Sequence, residues 1–522
     1  MSAPPLARSR PLPLRLPAAG PAARAAITPA ALLVVVAASA WLRTRALGAA
    51  YWMDEGISVG IASHHLTAIP ALLRQDGSPP LYYLLLHLWI GVAGRSETAT
   101  HALSALFAVA CVPVAWWLAR TLWGARAGWA AALLTALSPP LTYHGQETRM
   151  YSLVALLSLL AAGAFVAAFL DRRPRLAWVH AGALAALAYT HNWFVFLALA
   201  EAIAFAVLLV ARRGERRSLL RTAAIAFGVP ALLYLPWVPT VVFQGAHTAA
   251  PWSSTPTLHA LWLVRIWLLS GPVALTALGI AVATAAVLLW RASPRRPGEQ
   301  LATLAWLTGG TLLLAFAANQ VTPAWADRYA VVVIGPLLLL AALGVSRAGP
   351  AGLIALVAIA FAWLHQPSYH TLIAKSNARV VAHRIAARLS PGDLVIDALP
   401  ESVPVVRYYL GPTFSYVSSM GPVADPQVMD WRDALARLRA TRPQSIARLA
   451  DRLAPGAHLV LLRPMDHHVS TNAWKEAIRE HARRLDLMLR RDSHLRLGRR
   501  VRRAFHGPKT ALRAMVYTRV GG

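Results

Sequence analysis

The chain has 522 residues, of which 57% are hydrophobic and only 14% charged, and its mean hydropathy is +0.49. Soluble domains carry about 25% charged residues, so this composition excludes an ordinary soluble protein and requires that lipid solvates most of the chain. The net charge of +29 is almost all arginine. Such charge could indicate nucleic-acid binding, but the arginines cluster between apolar runs, as membrane topology demands, and no nucleic-acid partner is expected.

The first apolar run begins at Ile27. Residues 1–26 are rich in Arg, Pro and Ala and contain no early apolar core, so they predict a basic cytoplasmic tail followed by an uncleaved span. Only Cys111 is present, inside an apolar run, which excludes a disulfide within the chain and a cysteine metal site.

Runs of about 20 apolar residues can cross the ~30 Å hydrocarbon core of a bilayer. The sequence predicts eleven such spans, at residues 27–47, 98–119, 127–143, 150–170, 176–191, 192–211, 219–240, 271–290, 300–319, 329–346 and 349–365. A further apolar stretch, Pro79–Ala93, is shorter, and charge decides its placement. If it lies along the membrane surface, the clustered arginines all fall in loops on one side.

That assignment separates the arginines into two unequal sets. The inward set comprises Arg8, Arg10, Arg15, Arg24, Arg120, Arg126, Arg172, Arg173, Arg175, Arg212, Arg213, Arg216, Arg217, Arg221, Arg291, Arg295, Arg296 and Arg347. The outward set is a scatter of Arg43, Arg45, Arg74, Arg95, Arg149, Arg265 and Arg328. The asymmetry satisfies the positive-inside rule. It predicts a multi-pass protein of the cell membrane with its N-terminus in the cytoplasm and its C-terminus outside.

The character of the chain changes after Gln366. Apolar runs shorten to strand length at Leu394–Ile396 and His458–Leu462, with helical patterns over Val380–Leu389 and Thr471–Leu489. This alternation predicts a soluble α/β domain over residues 366–522, on the outer face. Its basic end, residues 499–503, could contact anionic headgroups or wall polymers, or could simply be a solvated tail.

Four polar clusters fall in the predicted outward loops. They are Tyr51-Trp52-Met53-Asp54-Glu55-Gly56, Gln75-Asp76-Gly77-Ser78-Pro79-Pro80-Leu81-Tyr82-Tyr83, Ser138–Tyr151 and Thr322–Tyr329. Adjacent acids near a bilayer are costly unless they are solvated, paired or used. Neighbours on a helix point about 100° apart, so only one of Asp54 and Glu55 would face a given pocket.

Each cluster also has a purely structural interpretation. Asp54 could cap a helix running to His64, and the Pro pair could form a turn before an anchoring helix. Glu147 and Arg149 could pair with each other, and Arg328 could anchor a span at the interface. The polar turn at His191 is a weaker candidate than the four clusters.

Taken in this order, the clusters resemble the GT-C superfamily of membrane glycosyltransferases, in particular the bacterial protein O-mannosyltransferase and aminoarabinose-transferase branch. The matching residues are Trp52-Met53-Asp54-Glu55, Ser78-Pro79-Pro80-Leu81-Tyr82-Tyr83, Glu147-Thr148-Arg149-Met150-Tyr151 and Asp327-Arg328-Tyr329. The resemblance covers residues 27–365. It implies an α-helical polytopic fold of about eleven transmembrane helices with interfacial helices and a C-terminal α/β domain.

The resemblance also implies a reaction. The donor would be a polyprenyl-phosphate-linked sugar, mannose or a related hexose or pentose, and the acceptor a hydroxyl of a protein, glycolipid or polysaccharide. An acceptor hydroxyl needs a carboxylate base, and inverting transfer needs one base and a stabilised leaving group. Asp54, with Glu55, is expected to supply the catalytic carboxylate. No metal or other cofactor is implied.

Arginines are expected to hold the donor phosphate, because their paired hydrogen bonds stabilise phosphate charge. Family members often carry a basic residue before the Pro-Pro pair, where this chain has Ser78. Phosphate contacts are therefore assigned to Arg149, Arg328 and Arg74. The sugar and acceptor side is assigned to Glu147, Tyr151, Tyr82, Gln146 and His191.

Two other functions remain open from the sequence. A lipid or sugar transporter also needs many spans and a polar cavity, but here the polar residues lie in loops and no internal repeat is visible. A non-catalytic scaffold that displays the basic α/β domain is the other alternative.

Overall fold

A computed structural model describes residues 21–248, 250–292, 296–366, 372–465, 472–501 and 509–521. Of the predicted basic tail over residues 1–26, only residues 21–26 are described, and they already belong to the first helix. That helix, α1, is Pro21–Thr44.

Every predicted span corresponds to a helix. The helices long and apolar enough to cross a bilayer are Glu97–Trp123 (α5), Tyr151–Leu170 (α8), Phe194–Ala211 (α10), Arg213–His247 (α11), Pro272–Arg291 (α13), Arg296–Val321 (α14) and Asp327–Arg347 (α15). The remaining predicted spans are α1, whose apolar part is Thr28–Thr44, and three shorter helices: Ala125–Leu137 (α6), Ala177–Ala188 (α9) and Pro350–Leu364 (α16). The expectation of a polytopic helical membrane protein is confirmed.

Shorter helices lie between the spans. They are Met53–Ala62 (α2), Ile69–Asp76 (α3), Leu81–Ala93 (α4), Pro139–His144 (α7) and Leu258–Leu269 (α12). The 13 residues of α4 extend ~20 Å, less than the thickness of the hydrocarbon core. In the sequence, the distribution of arginines excluded this stretch as a span, and the length of α4 agrees with that placement. Helix α12 was not predicted.

The outer surface of the bundle is apolar. Large side chains such as Val92, Val207 and Trp290 are exposed by 88%, 63% and 85%, which suits helices solvated by lipid. Charged groups inside the bundle are partnered. His180 and Glu201, both fully buried, pair at 3.0 Å across α9 and α10, and Arg43 donates to the carbonyl oxygens of residues 108 and 135.

The predicted inward loops meet at one end of the bundle. Arg212 pairs with Glu299 at 2.5 Å, and Arg172 pairs with Glu215. Gln300 donates to Asp171 at 2.5 Å. These contacts join three loop regions: the one after α8, the one between α10 and α11, and the start of α14. The basic loops therefore share one face, and the four polar clusters lie at the opposite end.

The C-terminal domain is a mixed six-stranded sheet with strand order β3-β2-β1-β4-β6-β5. The strands are Leu394–Asp397 (β1), Ser415–Ser418 (β2), Gly421–Pro422 (β3), His458–Pro464 (β4), Leu495–Val501 (β5) and Leu512–Arg519 (β6). The helices are Ala378–Ala386 (α17), Val403–Leu410 (α18), Ala434–Ala440 (α19), Pro443–Ala447 (α20) and Ala473–Arg491 (α21). The predicted strands and helical patterns are all present.

The basic end of the chain differs from the predicted tail. Residues 495–501 form β5, an edge strand paired with β6, while Arg502 and Arg503 lie outside the described residues. An edge strand of arginines is solvated on one side and hydrogen-bonded on the other, and its charge discourages pairing with other chains.

The C-terminal domain docks on the loops that carry the polar clusters, through close backbone contact. A Cβ added at Gly60 of α2 would lie 1.9 Å from the carbonyl oxygen of Gln427, and one at Gly56 2.6 Å from Val405. Two hydrogen bonds from the same domain hold the first outer loop: the N–H of Tyr51 donates to Tyr409 and that of Met53 to Thr510. Only glycine fits at positions 56 and 60, because a Cβ atom there would overlap the C-terminal domain.

Candidate active site

The two acids of the first cluster, Asp54 and Glu55, point in different directions from helix α2. Trp52 precedes the helix, and the Glu55 carboxylate accepts a hydrogen bond from the Trp52 N–H at 3.1 Å. Asp54 therefore lies within the first turn and is not the N-cap, which removes that alternative. Because successive helical residues point about 100° apart, Asp54 faces the polar pocket while Glu55 points into the protein.

Asp54 lies between two arginines from distant parts of the chain. Its carboxylate is 3.5 Å from the guanidinium of Arg328 and 3.9 Å from that of Arg149. The Asp54 side chain retains 19% exposure and Arg328 29%, whereas Arg149 retains 9%. Three of the residues that the sequence analysis assigned to one pocket are thus brought together, with a solvent-accessible carboxylate between two cations.

Arg149 is held by the helices around it. Its Nη1 donates to Ser58 at 2.9 Å, to the Tyr83 hydroxyl at 3.4 Å and to the Asp54 carbonyl at 3.3 Å. Its backbone carbonyl accepts from Ser104, whose hydroxyl is 3.0 Å from that of Tyr82. These bonds fix the guanidinium before any ligand arrives, which lowers the entropic cost of binding an anion.

Tyr82 was predicted to line the sugar or acceptor side. Its ring is fully buried and its hydroxyl is occupied by Ser104. Tyr82 is thus joined through Ser104 to the backbone of Arg149, whereas the neighbouring Tyr83 hydroxyl accepts from the guanidinium itself.

Arg328 lies in a cage of aromatic rings. Its guanidinium carbon is 5.6 Å from the Trp52 ring centroid, 5.4 Å from that of Trp252 and 5.4 Å from that of Tyr329. Its Nε donates to the Tyr151 hydroxyl at 3.0 Å. Contacts of this kind stabilise a cation at low dielectric, so Arg328 is more than an interfacial anchor.

His191 contributes to the same aromatic wall. Its ring centroid lies 4.7 Å from that of Tyr329 and 6.0 Å from that of Tyr151. Its Nδ1 accepts from the N–H of Trp193, which fixes the ring. The structure therefore places the predicted His191 and Tyr151 beside Arg328, on the wall of the pocket.

Glu55, predicted to be catalytic with Asp54, lies in a different place. It is fully buried and its carboxylate accepts from His101 at 2.6 Å, from the Thr148 N–H at 2.8 Å and from Lys375 at 2.9 Å. Burial alone would raise its pKa, but Lys375 and His101 outweigh burial and lower the pKa of Glu55. The carboxylate is buried and both of its oxygens accept hydrogen bonds from the protein, which fits a structural role. The catalytic assignment of Glu55 stays a prediction.

Glu147 forms a second buried carboxylate centre. Its oxygens accept from Lys509 and from His144 Nδ1, the latter at 3.1 Å. Burial would raise its pKa, but Lys509 and His144 together hold the pKa of Glu147 well below its ordinary value. Glu147 does not pair with Arg149. The alternative of a local ion pair is wrong, and the carboxylate remains ionised beside the pocket.

Gln146 and Arg74 are not part of the pocket. Gln146 is buried and accepts from the N–H of Ala46 at 2.6 Å while donating to the Thr142 carbonyl. Arg74 is exposed on α3 and stacks over Phe243, 3.9 Å from the ring centroid. The contacts of these two side chains do not involve Asp54, Arg149 or Arg328, and their assigned roles stay predictions.

Asp76 is a pocket residue that the sequence analysis did not select. It is partly buried at the end of α3 and interacts with Ser78, Arg149, Asp54 and Tyr83. Burial, together with the negative charge of Asp54, raises the pKa of Asp76 to about 6. Its position in the Gln75–Tyr83 cluster could have indicated a functional role. A polar residue before Gly77 is, however, also expected in a simple turn.

The lysines of the C-terminal domain were also missed. The chain has three lysines, Lys375, Lys475 and Lys509. Two of them are inserted into the outer loops against buried carboxylates, Lys375 against Glu55 and Lys509 against Glu147. Nearly all other basic residues of the chain are arginines, so the rarity of lysine could have indicated that these lysines have particular roles.

Metal ligation is a separate question. Within the described ranges, no three His, Cys, Asp or Glu side chains are arranged to hold a metal ion. The ion pairs of Asp54 there are with the guanidinium groups of Arg149 and Arg328.

A bundle of membrane helices with a docked α/β domain is a fold that solved structures of GT-C glycosyltransferases share. The resemblance found in the sequence is confirmed at this level. Residues 77–242 match the family described as dolichyl-phosphate-mannose-protein mannosyltransferase. This segment contains Arg149 and the Ser78-Pro79-Pro80 cluster, but it is less than half of the chain.

Solved structures share the fold at low sequence identity. ArnT from Cupriavidus metallidurans bound to undecaprenyl phosphate superposes with a TM-score of 0.61 at 13% identity, over 95% of this chain and 98% of that one. AglB from Archaeoglobus fulgidus, in complex with an inhibitory peptide and a dolichol-phosphate, gives 0.55 at 12% identity, over 89% and 72%. The arabinofuranosyltransferase AftD from Mycobacteria gives 0.51 at 17%, over 94% and 40%. No curated protein sequence matches the chain.

Proposed function

We propose that the chain is a glycosyltransferase that moves a sugar from a polyprenyl-phosphate donor to an acceptor hydroxyl. The observation that carries the proposal is the Asp54 carboxylate lying 3.5 Å from Arg328 and 3.9 Å from Arg149 at one end of a membrane helix bundle. A base beside two anion-binding cations matches what transfer from a lipid phosphate requires.

The proposed reaction is a single displacement. The acceptor oxygen forms a bond to the anomeric carbon while the bond from that carbon to the phosphate oxygen breaks. Asp54 takes the acceptor proton, and the electron pair of the broken bond stays on the polyprenyl phosphate. One base and one departing group on opposite sides of the carbon give inversion.

Arg149 and Arg328 are proposed to bind the donor phosphate. In the protein without ligand their charges are partly offset by Asp54. Guanidinium groups bind phosphate oxygens through paired hydrogen bonds, and both arginines are already fixed by Ser58, Tyr83 and Tyr151. The reaction is proposed to need no metal, because these cations can offset the charge that develops on the phosphate.

The substrates are proposed by class. A lipid phosphate donor is supported by the undecaprenyl phosphate and dolichol-phosphate bound to structures of the same fold. The family match favours mannose or a related hexose or pentose. The acceptor is a hydroxyl of a protein, glycolipid or polysaccharide.

The site is proposed to face outward. Its cluster of loops lies opposite the end where the basic loops meet, and basic loops are retained in the cytoplasm. The N-terminus is then inside and the α/β domain outside, on the surface of the cytoplasmic membrane.

Reconstitution with radiolabelled polyprenyl-phosphate sugars tests the proposal. Sugar should appear in an acceptor fraction with equimolar release of polyprenyl phosphate, and addition of a chelator should not change the rate. Donor that crosses the bilayer with its sugar–phosphate bond intact would indicate a transporter instead. Mass analysis of lipid, protein and polysaccharide fractions from cells with and without the chain then identifies the acceptor.

A further inference from the structure

Lys509 reaches from the C-terminal domain into the outer loops of the membrane domain. It lies just before β6, and its ammonium pairs with the buried Glu147 carboxylate. The same ammonium is 4.1 Å from the Trp52 ring centroid and 4.7 Å from that of Tyr143. Thr510, the next residue, accepts from the Met53 N–H at 3.0 Å, so the backbone beside the lysine is fixed to the start of α2.

This placement puts Lys509 next to the proposed phosphate site. The Trp52 indole that it contacts is also contacted by Arg328, whose guanidinium carbon is 5.6 Å from the ring centroid. Burial, with the positive charges of Lys375 and Arg328, lowers the pKa of Lys509 despite its pairing with Glu147. Lys509 and Arg328, which share the Trp52 ring at low dielectric, form a site that favours an incoming anion.

The proposed reaction increases the negative charge at that site. A sugar-linked phosphodiester carries one negative charge, whereas the phosphate monoester that leaves has a second ionisation near pH 6 and carries almost two at neutral pH. Arg149 and Arg328 are both already within 4 Å of Asp54. A further cation would stabilise the charge that appears as the sugar–phosphate bond breaks.

Resting on the function proposed above, we infer that Lys509 binds the leaving phosphate, so that the α/β domain supplies a cation to the active site of the membrane domain. Glu147 holds the ammonium in place beside Trp52 until the extra charge develops. As the bond from the anomeric carbon to oxygen breaks, the electron pair remains on the phosphate oxygen, which accepts a hydrogen bond from Lys509 without proton transfer.

Binding of two lipid probes to the full-length protein tests the inference without turnover. The probes are a polyprenyl phosphate, with two charges at pH 7.5, and its methyl phosphodiester, with one. Lys509→Gln should weaken binding of the monoester by about 10-fold or more, as expected for loss of a hydrogen bond between charged groups. Binding of the phosphodiester should change by less than about 3-fold, and Lys509→Arg should restore most of the difference.

Lys375→Gln is the matched control. Lys375 belongs to the same domain and also pairs with a buried carboxylate, but this carboxylate is that of Glu55 and not that of Glu147. It should lower the thermal stability of the protein while leaving the ratio of the two affinities unchanged. Equal weakening of both probes by Lys509→Gln, or the same selective loss in Lys375→Gln, would show that Lys509 serves only to dock the domain. Failure of the wild-type protein to bind either probe would overturn the proposed function itself.

Discussion

The Arg328 guanidinium lies 3.5 Å from the Asp54 carboxylate. The two residues are far apart in the chain, because Asp54 follows the first span and Arg328 stands at the start of the span before the last. The same carboxylate is 3.9 Å from Arg149. This arrangement gives substitutions of Asp54 and Arg328 distinct expected phenotypes.

Asp54→Asn removes the proposed base while keeping the shape of the side chain. Sugar transfer should fall by about 10²- to 10⁴-fold, the usual contribution of a positioned general base, while donor binding is retained. Initial rates with saturating donor measure the effect. Asp327→Asn is the control, since Asp327 is exposed and its carboxylate accepts only from the Trp325 indole at 3.0 Å. Near-normal turnover in Asp54→Asn would remove Asp54 as the base.

Arg328→Ala should raise the KM for the donor by about 10-fold or more, because a charged hydrogen-bond partner of the phosphate is lost. Arg328→Lys should recover only part of the loss, since an ammonium cannot make paired hydrogen bonds. Tyr151→Phe removes only the hydroxyl that accepts from Arg328 Nε and should have a smaller effect. An unchanged KM in Arg328→Ala would place the donor phosphate elsewhere.

The charge of Asp76 should make donor binding depend on pH. Burial raises its pKa to about 6, so Asp76 is neutral below that pH and negative above it. Because the donor phosphodiester keeps one negative charge throughout, its KM should rise about 3- to 10-fold between pH 5 and pH 7, equivalent to about 1 kcal/mol of repulsion.

Asp76→Asn should abolish that rise. This variant is the necessary control, because burial also raises the pKa of Glu401 to about 7 and Glu401 interacts with Asp54. A pH dependence that persists in Asp76→Asn would assign the ionisation to another group. The folded pKa of Asp76 lies above the ordinary 3.8. Its contribution to stability is therefore complete below pH 3.8 and is lost as the pH rises through about 6.

Gly60→Ala tests the docking of the α/β domain. The added methyl group would lie 1.9 Å from the Gln427 carbonyl oxygen, a clash that costs about 1–3 kcal/mol or more. This outweighs the gain of about 1 kcal/mol from replacing glycine in a helix. The variant should unfold at a lower temperature and release its C-terminal domain faster on limited proteolysis.

Gly91→Ala provides the opposite expectation. Gly91 also lies within a helix, but a Cβ there meets nothing within 4 Å. This substitution should leave stability unchanged or raise it slightly. Equal stability of the two variants would contradict the close approach of α2 to the C-terminal domain.

The membrane architecture was predictable because its causes are local. Each span is encoded by a continuous apolar run, and the strands around Val395 and Val460 are encoded by short runs of β-branched and aliphatic residues. The helix α12 was missed because Arg265 interrupts a run of only 12 residues.

The site was predictable in part. Asp54, Arg149 and Arg328 stand beside span ends in loops predicted to share a face, so the sequence could bring them to one side of the bilayer. Glu55 has the same neighbours in the sequence as Asp54, so local sequence does not distinguish the two acids. No sequence pattern predicts that Lys375 and His101 contact Glu55. Its different role depends on the direction in which α2 is rotated.

The sequence by itself determined that the chain crosses a membrane many times, that an α/β domain follows, and that an acid and two arginines lie in loops on one side. Apolar length and loop charge act within single segments, so they can be interpreted without coordinates. Only the tertiary structure decided that Asp54 rather than Glu55 faces the arginines, that Asp76 joins them, and that Lys375 and Lys509 enter from the distant domain. These facts depend on packing between segments far apart in the chain, where a rotation of one helix or the docking of one domain selects which side chains meet.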